Sequence, residues 1–330
     1  MKGRIKMKPL KIGVIGTGNM GKNHVRNIAQ EKAIFELVGI YDASEKQAEL
    51  ISSQYGTKAF SSPEELLKQV EAAVIAVPSS LHRQYGLLAA EYGVHALIEK
   101  PLATNSRDAR EIAEAFKNKG LKLAVGHIER FNSVIIELKK ILDPGEPFFI
   151  EARRYSPFSN SGRITDTSVV EDLMIHDVDL VCYLLGNPKI VSVHGFGESV
   201  RSGNTDFATG FIRFDSNVHA VISASRVSQD KERVIKIHTE NSSIRADLLA
   251  KTLIVSKNTG ISLEGQSDLT YKQDGVVQKI FVPIQEPLRT ELIAFHDSVV
   301  NDTPIVADGE VGIRAVELCE QIVSEIKNDK

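Results

Sequence analysis

The sequence predicts an α/β protein in two parts. The first is a Rossmann domain with a doubly wound parallel sheet. The second is an α+β domain with a large, mainly antiparallel, open-faced sheet. Three observations predict this. Short apolar runs alternate with helical patterns as far as Gly126. A glycine-rich turn joins the first apolar run to the first helix. Beyond Ile128 helices become sparse, and strand-like runs succeed one another without crossovers. The expected domains are 1–128 and 129–330, with the C-terminal helices able to pack back toward the first domain.

Leu10–Ile15 opens as a strand, followed by a helix over Gly21–Gln30 and a strand over Phe35–Tyr41. Lys46–Tyr55 reads as helix, Lys58–Phe60 as a short strand, Pro63–Gln69 as a short helix and Ala72–Val77 as strand. Helix Leu81–Tyr92, strand His95–Ile98, helix Ser106–Lys119 and strand Lys122–Gly126 complete the series. These strands are apolar at nearly every position, as a sheet covered on both faces requires. Helix Asn132–Leu142 then stops at Asp143-Pro144-Gly145. Strand Phe148–Tyr155, a polar loop and helix Val170–Leu185 follow. Next come strands Val191–Gly197, Phe207–Phe214, His219–Ser225, Val234–Thr239, Ser243–Asp247, Thr252–Ser256 and Val276–Pro283. Several alternate in polarity, so helices cover one sheet face and solvent or a second subunit the other. Helices Glu291–Val299 and Glu310–Ile326 close the chain.

Composition narrows the function. With 40 Lys and Arg against 43 Asp and Glu, the formal charge is −3. No basic excess exists to neutralise nucleic-acid phosphates, so a nucleic-acid partner is not expected. No apolar run reaches membrane-spanning length, and no membrane association is expected. The basic N-terminus is followed by a short apolar run broken by glycines, unlike a secretory leader. The two cysteines, Cys182 and Cys319, lie in apolar helical stretches and suggest buried thiols in the cytoplasm.

The turn reads Ile12-Gly-Val-Ile-Gly16-Thr-Gly18-Asn19-Met20-Gly21. Glycines spaced G-x-G-x-x-G between strand and helix are what a dinucleotide pyrophosphate needs. Gly16 allows the tight turn, Gly18 close approach, and Gly21 helix–strand packing. Asn19 and Met20 belong to the same cofactor loop. Asp42, at the end of the second strand, can accept hydrogen bonds from the adenosine ribose and would repel a 2′-phosphate. No arginine follows it directly, so NAD is favoured over NADP. Helix capping is the other use for this aspartate. Pro78, Ser79 and His82 follow the fourth strand, Ala72–Val77, and are assigned to the cofactor crevice with Glu99 and Lys100.

Two groups carry candidate chemistry. Lys100, in Glu99-Lys100-Pro101, stands at a strand's carboxyl end, where a partly desolvated lysine can bind a hydroxyl and share its proton; a solvated loop lysine is the alternative. Asp172 and His176 are four residues apart and so share a helix face. His176 is suited to take a hydroxyl proton and Asp172 to orient the substrate or stabilise the imidazolium. An acidic cluster at a helix start is the alternative reading. No third ligand of suitable spacing accompanies this pair, so no metal is expected.

The glycine turn, Glu99-Lys100-Pro101 and the segment Glu171–Asp179, in that order, resemble the Gfo/Idh/MocA oxidoreductases over nearly the whole chain. The resemblance implies hydride transfer between a secondary sugar hydroxyl and NAD, with Lys100, Asp172 and His176 catalytic. Relatives commonly have glycine two residues before the histidine; here Met174 stands there, which implies a differently shaped pocket. Gly126–Asn132 and Asp172–Asp177 resemble the family's nucleotide-sugar members, including UDP-N-acetylglucosamine 3-dehydrogenases. On that basis Arg130 and Asn132 look like pocket residues. Arg154, Tyr155 and Arg163 could supply charge and an aromatic face to a diphosphate and a uracil ring. Inositol or free-sugar dehydrogenases, NAD-dependent glycosidases and a non-catalytic NAD- or sugar-binding protein are the alternatives. A homodimer or homotetramer formed through the second-domain sheet is also implied.

Overall fold

The computed structural model describes residues 8–143, 147–158, 167–264 and 270–328, without side-chain detail for 258–264 and 270–274. It divides into two compact units. Unit 1 comprises Met1–Ile128 and Glu286–Glu317, and unit 2 comprises Glu129–Gln285 and Leu318–Lys330.

In unit 1, strands β1 (Leu10–Ile15), β2 (Phe35–Tyr41), β3 (Lys58–Ala59), β4 (Ala72–Ile75), β5 (His95–Glu99) and β6 (Leu123–Gly126) form one sheet. Its order is β3-β2-β1-β4-β5-β6, and every pair is parallel. The order reverses between β1 and β4, which is where such sheets open a crevice at their carboxyl ends. Helices α1 (Asn19–Gln30), α2 (Glu45–Tyr55), α3 (Pro63–Leu67), α4 (His82–Glu91) and α5 (Ser106–Asn118) make the crossovers. One apolar layer joins Ile15, Ile75 and Ile98 to Leu66, Ile112 and Phe116. The other joins Ile12, Val14 and Val74 to Val25 and Ile28. The chain's distal part completes both layers, since Ile313 enters the first and Leu292 and Phe295 the second.

Unit 2 begins with α6 (Ser133–Ile141), capped by Asn132, and β7 (Pro147–Tyr155). The helix expected over Val170–Leu185 is two structures: a π-helical turn at Val170–Met174, then α7 (Ile175–Leu184). Strands β8 (Ile190–Glu198), β9 (Phe207–Phe214), β10 (His219–Ser225), β11 (Glu232–Thr239), β12 (Ser242–Asp247), β13 (Thr252–Glu264) and β14 (Thr270–Ile280) follow. They join β7 in the order β14-β13-β12-β11-β7-β10-β9-β8. Only the central pair β7–β10 is parallel; the other pairings are antiparallel. Ala208, Ile212, Ala220, Ile222, Ile150 and Ala152 turn to the helix-covered face and are buried. The alternate residues line the other face, where Phe196 and Phe211 are each about half exposed.

Helix α8 (Pro287–Val300) lies in unit 1, and α9 (Gly309–Asn328) is divided between the units at Glu317/Leu318. Among the described residues no helix is long and apolar enough to cross a membrane. No group of three or more His, Cys, Asp or Glu that could hold a metal occurs among them either. Cys182 and Cys319 are both buried.

Candidate active site

The glycine turn of unit 1 has the conformation its sequence requires. Gly16 has φ +85°, a left-handed value that a side chain would strain. A Cβ on Gly21 would lie 1.9 Å from the Gly16 carbonyl oxygen, so α1 can approach the turn only without one. At Gly18 an added Cβ would meet nothing within 4 Å. The turn is therefore packed from beneath and open above. Helices α2, α3 and α5 carry side-chain caps from Ser44, Ser62 and Asn105. By contrast α1 starts at Gly18 with no side-chain cap and no acidic residue in its first turn. Its first amide donors and its positive dipole end suit an anion.

Asp42 is stapled to this turn. One carboxylate oxygen accepts from the Thr17 amide at 2.7 Å and the Thr17 hydroxyl at 2.9 Å; the other accepts from the Ser44 amide at 2.9 Å. A carboxylate offers roughly four acceptor sites, so capacity remains for a ribose hydroxyl. The aspartate both orders the turn and presents a negative charge beside it. Open glycine turn, uncapped helix and strand-end aspartate together fit a dinucleotide.

Pro78 is exposed and Ser79 half-buried, opening the short 3₁₀ turn before α4. His82 is buried, with Nδ1 2.7 Å from the Pro101 carbonyl oxygen and Nε2 3.0 Å from that of Val77. Both ring nitrogens lie within hydrogen-bonding distance of backbone carbonyls, so His82 ties two loops together. Burial pushes its pKa down, against the pull of the two carbonyls. The Glu99 side chain also turns inward, placing Oε1 2.7 Å from Nε2 of the buried His24. Lys100 is half-buried at the end of β5, and the Lys100–Pro101 peptide is cis.

In unit 2, Asp172 lies in the π turn and His176 in the first turn of α7, both half-buried. π turns inside helices recur at functional sites. The acidic residues beside them have another use. Asp179 takes Arg130, with contacts of 2.7–3.1 Å and both side chains 2% exposed. Asp177 accepts from Nε and Nη2 of Arg154 at 2.8 and 2.9 Å. Glu129, which the sequence reading did not single out, accepts from Arg154, Arg233 and Asn132 at 2.9, 3.0 and 3.0 Å. Burial would raise the Glu129 carboxyl, but the arginines outweigh it and hold it below the usual range. Burial likewise opposes the Arg154 charge, yet its two carboxylates raise its pKa.

These contacts revise the expected substrate contacts. Arg130 and Arg154 are committed to buried ion pairs. Asn132 caps α6 and receives the Lys251 ammonium at 2.9 Å. Tyr155 follows Arg154 on one strand and so points to the opposite sheet face. A run of basic and aromatic residues resembles a phosphate pocket in sequence, but strand alternation separates it and buried carboxylates claim its charges. Arg163 lies outside the described residues.

A family model described as an oxidoreductase family with an NAD-binding Rossmann fold matches residues 10–127. The Gfo/Idh/MocA C-terminal-domain model matches residues 137–245. The chain is 29% identical to a UDP-N-acetylglucosamine 3-dehydrogenase of Acidithiobacillus ferrooxidans, over 95% of this chain and 96% of that protein. It is 28% identical to the NAD-dependent scyllo-inositol 2-dehydrogenase of Bacillus subtilis, over 93% of each chain. A solved structure of the A. ferrooxidans enzyme superposes with a TM-score of 0.87, covering 98% of this chain and 99% of that one. A levoglucosan dehydrogenase structure, 19% identical with a TM-score of 0.82, shares the fold over 98% of both chains.

Proposed function

This chain belongs to the Gfo/Idh/MocA family and is an NAD-dependent dehydrogenase of the sugar and polyol type, and from that premise we propose that its substrate is a nucleotide sugar of the UDP-N-acetylglucosamine class, oxidised reversibly at C3. The observation that carries this reading is the near-complete alignment with the A. ferrooxidans enzyme, combined with Lys100 and the Asp172/His176 pair in the family's motif positions.

NAD, when bound, accepts the hydride. Gly16, Gly18 and Gly21 with Asn19 and Met20 would hold its pyrophosphate, and Asp42 would receive its ribose. Lys100 binds the reacting hydroxyl and stabilises the charge that develops on its oxygen. His176 takes the hydroxyl proton, and Asp172 orients the sugar and supports the imidazole. The open face of the unit 2 sheet, with Phe196 and Phe211 exposed, supports a homodimer or homotetramer. The low cysteine count, with both cysteines buried, supports a cytoplasmic setting.

The B. subtilis relative favours a second reading, oxidation of an inositol or free sugar. An absorbance assay for NADH over UDP-sugars, free sugars and inositols separates the two. Turnover is expected with UDP-N-acetylglucosamine, with a fall of about 10²–10⁴-fold in His176→Ala and a collapse in Lys100→Met while NAD binding persists. Turnover confined to inositols would establish the second reading. Near-wild-type rates in Lys100→Met would remove that lysine from the chemistry.

A further inference from the structure

Unit 1 buries two carboxylates and an imidazole that the proposed chemistry does not use. Glu99 ends β5, is 8% exposed, and pairs in the sheet with Gly126. A Cβ on Gly126 would come within 2.9 Å of Glu99 Oε2, so the glycine makes room for the carboxylate. His24, three residues after Gly21 on α1, is fully buried and reaches Glu99 Oε1 through Nε2. Glu291, on α8, is 3% exposed, and neither of its carboxylate oxygens has a hydrogen-bond partner.

The hydrogen bonds assign the charges. The other ring nitrogen of His24, Nδ1, is buried with no acceptor beside it. An imidazolium would strand a buried N–H there, whereas neutral His24 donates Nε2–H to Glu99 and strands only an acceptor. Glu99 is then an anion held by a neutral donor. A buried carboxylate without donors beside a second anion is strongly disfavoured, so Glu291 keeps its proton. Burial first, and the charge of Glu99 second, push the Glu291 carboxyl well above its ordinary value. Glu99 stays ionised: burial opposes its charge, but the His24 contact and Lys100 outweigh burial and hold its pKa below the ordinary range. The titratable groups facing Glu99 are His24, Lys100, His82 and Glu291. Glu99, His24 and Glu291 together therefore carry one negative charge, with the Lys100 cation beside it.

That charge lies at the carboxyl end of β5, in the half of the sheet beyond β1 and β4. Since Asp42 marks the adenosine side at β2, the nicotinamide half of a dinucleotide extends over this half. We propose that the buried Glu99 carboxylate, oriented by His24 and insulated by Glu291, is an electrostatic positioning residue that favours the cationic oxidised nicotinamide over the neutral reduced one. It acts without touching substrate, and it sets how tightly the enzyme holds each redox form of its cofactor.

The test needs no sugar, so a wrong substrate assignment would leave it intact. Titration of the apo protein with NAD and with NADH gives the ratio of the two affinities. Glu99→Gln keeps the shape and removes the charge. It should weaken NAD relative to NADH by roughly tenfold, the effect of one unit charge across a partly buried site. Equal weakening of both forms, or no change in the ratio, would overturn the proposal. Glu291→Gln should leave the ratio within about twofold, because the wild-type side chain is already uncharged; a tenfold change would refute that assignment. The third measurement uses the unmodified protein and stands even where Glu99→Gln does not fold. Nitrogen-15 spectra at neutral pH should show His24 as the neutral Nε2–H tautomer. A doubly protonated ring would cancel the Glu99 charge and end the proposal.

Discussion

Replacing Arg154 by methionine should cost about 3–5 kcal/mol of stability, the range for breaking a buried ion pair by removing one partner. The magnitude follows from what is left behind. Arg154 and Asp177 are each 3% exposed in their side chains, and Glu129 is 8% exposed. Glu129 would keep Arg233 and Asn132, but Asp177 would lose the two donors at 2.8 and 2.9 Å. Burial already pushes the Asp177 carboxyl above its ordinary value even with the arginine present. In the variant it rises further, so the folded state takes up a proton more readily than the unfolded one. The deficit should accordingly be smaller near pH 5 than near pH 8, growing as pH rises from the unfolded aspartate value toward the folded one. At about 2–4 °C per kcal/mol for a unit of this size, the melting temperature should fall by roughly 6–20 °C. Lysine should rescue little, since it lacks the planar fork that serves two carboxylates. Thermal and urea unfolding across pH, with KM measured in parallel, decide the matter. A variant that melts within about 1 °C of wild type while KM rises would refute the ion-pair account and return Arg154 to the substrate.

Other outcomes follow from the same geometry. Gly21→Ala should abolish NAD binding and destabilise unit 1, because its Cβ would fall 1.9 Å from the Gly16 carbonyl oxygen. Gly18→Ala, with open space around it, should leave the apo melting temperature nearly unchanged while weakening NAD; calorimetry and cofactor titration separate the two. Asp206 accepts from the amides of Val200, Arg201 and Ser202, the Ser202 hydroxyl and Arg226. Burial would raise its carboxyl, but these donors outweigh that and hold it far below the ordinary range. Its stabilisation is full above the unfolded value near about 4 and is lost as pH falls toward the folded one. Asp206→Asn should thus cost about 3 kcal/mol at pH 7, and the gap to wild type should close on acid titration. A gap independent of pH would show that this carboxylate is not the one responsible.

Strand periodicity was a faithful guide wherever the pattern was local. β1, β2, β9 and β10 have the bounds that their apolar runs announce. The first half of β14, Thr270–Gly275, escaped notice because it is polar and glycine-containing, and its place depends on pairing with β13. The π turn at Val170–Met174 is likewise invisible to a period count, since five residues do not separate the two helical repeats. Within the site, the glycines and Asp42 were legible because backbone geometry demands them. The arginines were not, because a sequence does not say whether an arginine meets a ligand or a buried aspartate. Arg130 and Arg154 found carboxylates 49 and 23 residues away. Asp177 and Asp179, read only as neighbours of His176, were their partners.

The discontinuity of unit 1 bears on how the polypeptide matures as it is made. Its sheet is specified by the first 128 residues, yet Leu292, Phe295 and Ile313, which complete its two apolar layers, come from a segment synthesised after the whole stretch Glu129–Gln285. On the ribosome, a nascent chain that has just emitted Gly126 has every strand of that sheet but an unfinished hydrophobic seal. Such an intermediate exposes apolar surface for the time needed to translate the intervening segment, and chains released early would be targets for chaperones and proteases.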